Sequence, residues 1–141
     1  MLLSFVIVFS AACVAPAFHL DNEPYVWRGV HLLVLGVMGL KIGLYGWLAN
    51  IPAALALRGV MQGWGIASPA LSVLAMLIGL HTLRVFGRDL QVGEHAYNIV
   101  HVVALGPGFY LWLLALLHPF FVFMLMRQRR VRRPPAADLD G

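Results

Sequence analysis

Six histidines stand beside only six acidic and ten basic residues in this chain, and their spacing is the first feature that could carry chemistry. Imidazole is the commonest metal ligand and titrates near neutral pH. His81, paired with His101 or with His31, would supply two imidazoles at similar depth on facing helices, the arrangement that bis-histidine haem ligation requires. Haem b is therefore one expected cofactor, with His31, His81 and His101 as its binding set. A transition metal is the other. If a helix begins near Gly93, then Glu94, Asn98 and His101 fall at i, i+4 and i+7 on one stripe. A carboxylate that orients a histidine is how metal sites tune their ligands, which makes Glu94, His95 and His101 the expected metal set. No strict metal motif is present, and the i, i+3 pairings of di-iron bundles are missing. The competing reading treats these histidines as ordinary interfacial or interhelical hydrogen-bonding groups, and a proton-linked role is a third.

Lys41 is the one cation well inside an apolar run. A charge at the bilayer centre costs roughly 2.5–3.5 kcal/mol on insertion scales, so it is a functional suspect, although its four-carbon stem can also carry the ammonium to the interface. His118, beside Pro119, reads as a polar group in helix packing. Cys13 is a lone thiol without a redox partner. Serines 4, 10, 68 and 72 lie in apolar or capping contexts, without the strand-turn-helix surroundings of a nucleophile elbow. No complete catalytic constellation emerges, so an enzyme is not the expectation.

The elements that must position these groups follow from composition. With 141 residues, 61% hydrophobic and 11% charged, the chain cannot build the water-facing shell of a soluble domain, where roughly 25% of residues are charged. Disorder is excluded for the same reason. A membrane protein remains. The formal charge of +4 does not point to nucleic acid, because half of the basic residues (Arg127, Arg129, Arg130, Arg132 and Arg133) form one run where an apolar stretch ends. That is the cytoplasmic flank of a membrane helix. Such a run can also bind anionic lipid headgroups, at about 1 kcal/mol per basic residue.

The expected architecture is all-α: a polytopic membrane bundle of four transmembrane helices, at residues 2–18, 28–48, 69–86 and 97–126, plus a short interfacial helix. The tail, 127–141, is basic and then polar. The first span could instead be a signal sequence, but no basic n-region precedes it, and whether 1–18 is cleaved stays open. The second span is flanked by Tyr25 with Trp27 and Tyr45 with Trp47, about 20 residues or roughly 30 Å apart, matching the depth at which Trp and Tyr settle. Inside it Gly36, Gly39, Gly43 and Gly46 form a stripe on which a neighbouring helix could pack closely. Asn50 reads as a helix cap before Pro52, and 52–62 is too short to cross, so it lies at the interface or against the bundle. Ser68 reads as the cap of the third span. The last apolar run is long, and Gly106-Pro107-Gly108 should kink it or split it.

An even number of crossings with an arginine-rich tail puts both termini in the cytoplasm, in a plasma (inner) membrane, and gathers His19, His31, His81, His95 and His101 at the outer face. The functional expectation is a small accessory or structural subunit of a larger membrane assembly, its partners being the bilayer and other membrane proteins or further copies of itself. The alternatives are a haem- or metal-binding redox protein using the outer histidines, and a small oligomeric transporter or channel built around Lys41 and the broken last helix.

Overall fold

A computed structural model of the chain describes residues 2–21, 26–42, 44–88, 90–91 and 99–131. Gly43, Glu94, His95, Asn98 and residues 132–141 therefore lie outside the described residues. The structure is mostly helical, with two helices long and apolar enough to cross a membrane, Ala67–Val85 and Pro107–Arg129. Four packed helices make up the bundle: α1 (Leu2–Val14), α3 (Asn50–Gln62), α4 (Ala67–Leu80, continued by a 3₁₀ turn His81–Val85) and α5 (Pro107–Val131). A shorter helix, α2 (Gly29–Leu35), packs on α1.

Their directions alternate. Ala12 of α1 meets Gly108 and Ser4 meets His118, so α1 runs against α5. Asn50 lies beside Trp112, and Ala53 clusters with Leu116, so α3 runs with α5. Val85 meets Phe109 while Ser72 meets Leu116, so α4 runs against α5. One end of the bundle thus collects the start of α1, the α3–α4 turn and the arginines ending α5.

The opposite end is closed by β-structure that the sequence reading did not anticipate. α1 stops at Val14, and β1 (Pro16–Leu20) pairs antiparallel with both β2 (Trp27–Arg28) and β5 (Val102–Leu105). The first apolar run is therefore not helical to residue 18. Pro16 has no N–H to give and disfavours helical geometry in the residue before it. Ala17 is then buried, and Phe18 and Leu20 pack with Val85, Val102 and Phe109. Two strands of two residues each, β3 (Leu90–Gln91) and β4 (Ile99–Val100), pair antiparallel and complete the β-structure among the described residues. The last apolar run is split rather than kinked. Its outer part is strand β5, and Pro107 occupies the first position of α5, where a missing N–H costs nothing. The backbones of Gly106 and Gly108 lie so close to Pro16, Ala15 and Ala12 that a side chain at either would strike main-chain carbonyls.

Residues 28–48, read from sequence as a single span, do not form one helix. After the seven residues of α2 the chain tightens into a 3₁₀ turn, Gly36–Ile42, and folds back to a second, Gly46–Ala49. Leu44 N–H donates to the Gly39 carbonyl at 2.8 Å, and the Trp47 indole donates to the Leu33 carbonyl at 2.8 Å. Glycine costs about 1 kcal/mol per helical position relative to alanine. A run holding four of them loses to a fold that gives the indole an acceptor. The expected glycine stripe is dispersed accordingly: Gly36 approaches Trp47, Gly39 approaches Leu44, and Gly46 approaches Thr82 of the 3₁₀ turn after α4.

The seam that brings helices close is elsewhere. On α4, Ser68, Ser72, Ala75 and Gly79 recur at spacings of 4, 3 and 4, and all are buried. On α3, Ala49 just before the helix and Ala53, Ala56 and Gly59 within it form the complementary ridge. The short residues 52–62 are therefore tucked against α4 and α5. Small residues allow backbones to approach and gain dispersion contacts where no hydrophobic effect drives association. Gly63, at φ 74°, terminates α3 in the left-handed conformation that glycine adopts without penalty, and Trp64 N–H returns to the Gly59 carbonyl at 2.9 Å.

Enlarging the seam should therefore hurt more than trimming the outer face. Gly79→Leu drives a side chain into Leu116 and Leu113 and should cost about 1–3 kcal/mol, the usual range for overpacking. Leu77→Ala, at a position 62% exposed, should change thermal stability in detergent by well under that amount.

Candidate functional site

The histidines at the sheet end are held by short-range backbone contacts. His31, in the first turn of α2, accepts a hydrogen bond at Nδ1 from the Arg28 N–H at 3.3 Å, half of a capping-box exchange. His81, at the start of the 3₁₀ turn after α4, accepts at Nδ1 from the Tyr45 N–H at 3.4 Å, and its ring lies 5.4 Å from the Tyr45 ring. Between β4 and β5, His101 is clamped by its main chain: its N–H donates to Asp21 Oδ1 at 2.9 Å, and its carbonyl accepts from the Asp21 N–H at 3.1 Å. His19 sits in β1 opposite Ala104. All four are attached to elements at the sheet end.

Their donor chemistry bears on the cofactor reading. A neutral imidazole has one lone-pair nitrogen. Where Nδ1 accepts from a backbone N–H, the proton resides on Nε2 and no lone pair is left for a metal. His31 and His81, with Nδ1 facing a backbone N–H, would have to release that partner to ligate haem iron in this tautomer. Among the described residues no group of three or more His, Cys, Asp or Glu side chains could hold a metal ion. Of the expected metal set only His101 is described, since Glu94 and His95 lie outside. Lys41 falls in the 3₁₀ turn Gly36–Ile42, and its side chain is likewise outside the described part.

Between the two ends the structure places a polar layer that the sequence did not single out. Trp112 of α5 donates its indole N–H to Asn50 Oδ1 at 3.0 Å, and the same amide donates through Nδ2 to the Trp47 carbonyl at 3.0 Å. Asn50 thus joins α5 to the folded-back segment instead of capping α3. Nearer the arginine end, Ser72 donates to the Leu116 carbonyl at 2.6 Å, one residue beyond the Ala115 carbonyl to which Pro119 has no N–H to give. A serine hydroxyl is one of the groups that satisfy backbone carbonyls in apolar surroundings. One helical turn away, His118 Nε2 lies 2.9 Å from Ser4 Oγ, with Phe5 edge-on to the imidazole at 5.8 Å. His118 Nδ1 is buried without a hydrogen-bond partner.

That orphan nitrogen decides what the Ser4–His118 pair does. The tautomer with its proton on Nε2 leaves only a lone pair unpaired at Nδ1, and in it the ring donates to Ser4. A histidine acting as a base towards serine needs the opposite tautomer, with Nδ1–H held by a third group. The pair is a strap between α1 and α5. Ser68 has the only other buried side-chain polar atom without a partner among the described residues; its hydroxyl packs against Gly59 and does not cap α4, which begins at Ala67.

The chain matches no protein-family model, no curated protein and no solved structure.

Interhelical hydrogen bonds in apolar surroundings average about 0.6 kcal/mol, with values up to about 1.7. Ser4→Ala should fall in that range and act only on α1 docking. Asn50→Leu strands the Trp112 indole and cuts the side-chain link from α5 to the Trp47 carbonyl, which keeps the backbone N–H of residue 50, so it should lower the unfolding temperature in detergent clearly more than Ser4→Ala does. Equal effects of the two would contradict the assignment of Asn50 as the bridging residue.

Proposed function

We propose that this chain is a small multi-pass integral membrane protein, with both termini cytoplasmic, that serves as an accessory or structural subunit of a larger membrane assembly or of a homo-oligomer. The observation that carries this reading is the outer surface of the two long helices. Only 33% and 22% of the residues in their most apolar windows are buried, which leaves Val73, Leu74 and Leu77 of α4 and Leu114, Phe121 and Leu125 of α5 exposed. At about 25 cal/mol per Å² of apolar area, such faces favour lipid or protein over water. The core helix of a soluble protein would be mostly buried.

The alternation of α1, α3, α4 and α5 supports an even number of crossings. The two short helices have 13 residues each, roughly 20 Å at 1.5 Å per residue, less than the hydrocarbon thickness of about 30 Å. In this reading they cross together with the extended and 3₁₀ segments that continue them, whose backbone groups are paired within the protein. The subunit role is supported by what the bundle has already used. Its small-residue seam is consumed internally, its polar groups in the midsection serve mainly to join its own helices, and what it offers a neighbour is apolar helix surface.

In mild detergent the chain should migrate with other membrane proteins or as a discrete homo-oligomer on native electrophoresis, and reporters fused to the two ends should respond on the same side of the membrane. A lone monomer at native expression would argue against the subunit role. Reporters on opposite sides would argue against the even crossing.

A further inference from the structure

We propose that the end of the bundle opposite the sheet is a binding surface for anionic phospholipid headgroups, made by Arg58 of α3, Arg127 and Arg129 of α5, and the Trp64–Ile66 turn between α3 and α4. The proposal rests on the membrane reading above and names the partner of one face. All three arginines are exposed. Because α3 and α5 run together, with Asn50 level with Trp112 and Ala53 with Leu116, the end of α3 and its turn come level with the end of the apolar part of α5. Arg58, level with about residue 120 of α5, stands roughly 9–13 Å above Arg127 and Arg129 at 1.5 Å per residue, a separation that snorkelling of its aliphatic stem towards the headgroups narrows. The three guanidinium groups therefore point to the same membrane surface.

Two observations select lipid over nucleic acid. The turn at this surface exposes Trp64 by 44% and Ile66 by 79%. An indole at that level is at home among headgroups, and an exposed isoleucine gains from acyl chain, whereas a nucleic-acid ligand needs a continuous basic face and would leave both in water. Among the described residues no acidic side chain stands at that end. The single acidic residue among the described residues, Asp21, is engaged with His101 at the other end. Guanidinium binds phosphate through paired N–H donors in a planar fork, which suits the phosphodiester of a headgroup whose net charge remains negative.

The test uses the full chain reconstituted in phosphatidylcholine vesicles carrying a trace of spin-labelled phosphatidylglycerol or spin-labelled phosphatidylcholine, with electron paramagnetic resonance reading the motionally restricted fraction of each. A basic residue at a charged bilayer surface is worth about fivefold in association, so phosphatidylglycerol should be preferred by at least that factor. The preference should shrink in about 0.5 M salt, where exposed charges are screened. Arg58→Gln with Arg127→Gln and Arg129→Gln should bring it to within about twofold of unity. Equal association of the two lipids with the unmodified protein, or a preference that survives the triple substitution, overturns the proposal. Absence of any restricted phosphatidylcholine overturns the membrane reading itself, and the two failures are thereby distinguished.

Discussion

The structure depends on one constraint: main-chain N–H and C=O groups in an apolar setting must find partners inside the protein, because neither lipid nor apolar side chains supply any. A chain that is 61% hydrophobic faces this almost everywhere. Helices meet it alone over most of their length. Where proline and glycine interrupt a helix, the freed groups are taken up by specific devices. Pro16 ends α1 and the following strand pairs on both sides. The glycine-rich segment after α2 folds back, so that the Trp47 indole and the Leu44 N–H reach carbonyls.

The same constraint explains how the small residues are used. In the membrane reading, bringing α3, α4 and α5 together requires contact rather than solvent exclusion, and a seam of Ser, Ala and Gly permits that contact. Polar groups then serve as fasteners between helices already in place: Asn50 between Trp47 and Trp112, Ser72 on Leu116, and Ser4 with His118. In such surroundings His118 is joined to Ser4 of α1 by a ring nitrogen. At the sheet end, His31 and His81 use Nδ1 as acceptors, so the structure employs these three rings as hydrogen-bonding groups.

Much of this was legible in the sequence and part was not, for reasons that concern range. Composition implied helices with apolar faces, and a break at Gly106-Pro107-Gly108 followed from local chemistry, although whether it kinks or splits the run did not. The clustering of His19, His31, His81 and His101 towards one end could be anticipated from where apolar runs begin and stop. What escaped were features that depend on residues distant in sequence. The pairing of β1 with β5 joins positions more than 80 apart, and a five-residue apolar strand cannot be told from the end of a helix by periodicity. The glycines at 36, 39, 43 and 46 displayed the spacing of a packing stripe, yet their helix cost outweighed it. Ser68, Ser72, Ala75 and Gly79 had an equally good spacing and were overlooked, because serines near a helix start read as caps. The Ser4–His118 strap had no local signal at all.

The central claim is that the outward faces of the two long helices contact lipid or protein and not water. It is tested most directly by single cysteines placed at Val73, Leu77, Leu114 and Phe121 in a Cys13→Ser background, probed in native membranes with a membrane-impermeant maleimide added to both sides of opened vesicles. The account predicts that none of the four is labelled while a cysteine at Arg129 is labelled readily. Ready labelling of the helix positions, at rates matching Arg129, would contradict it.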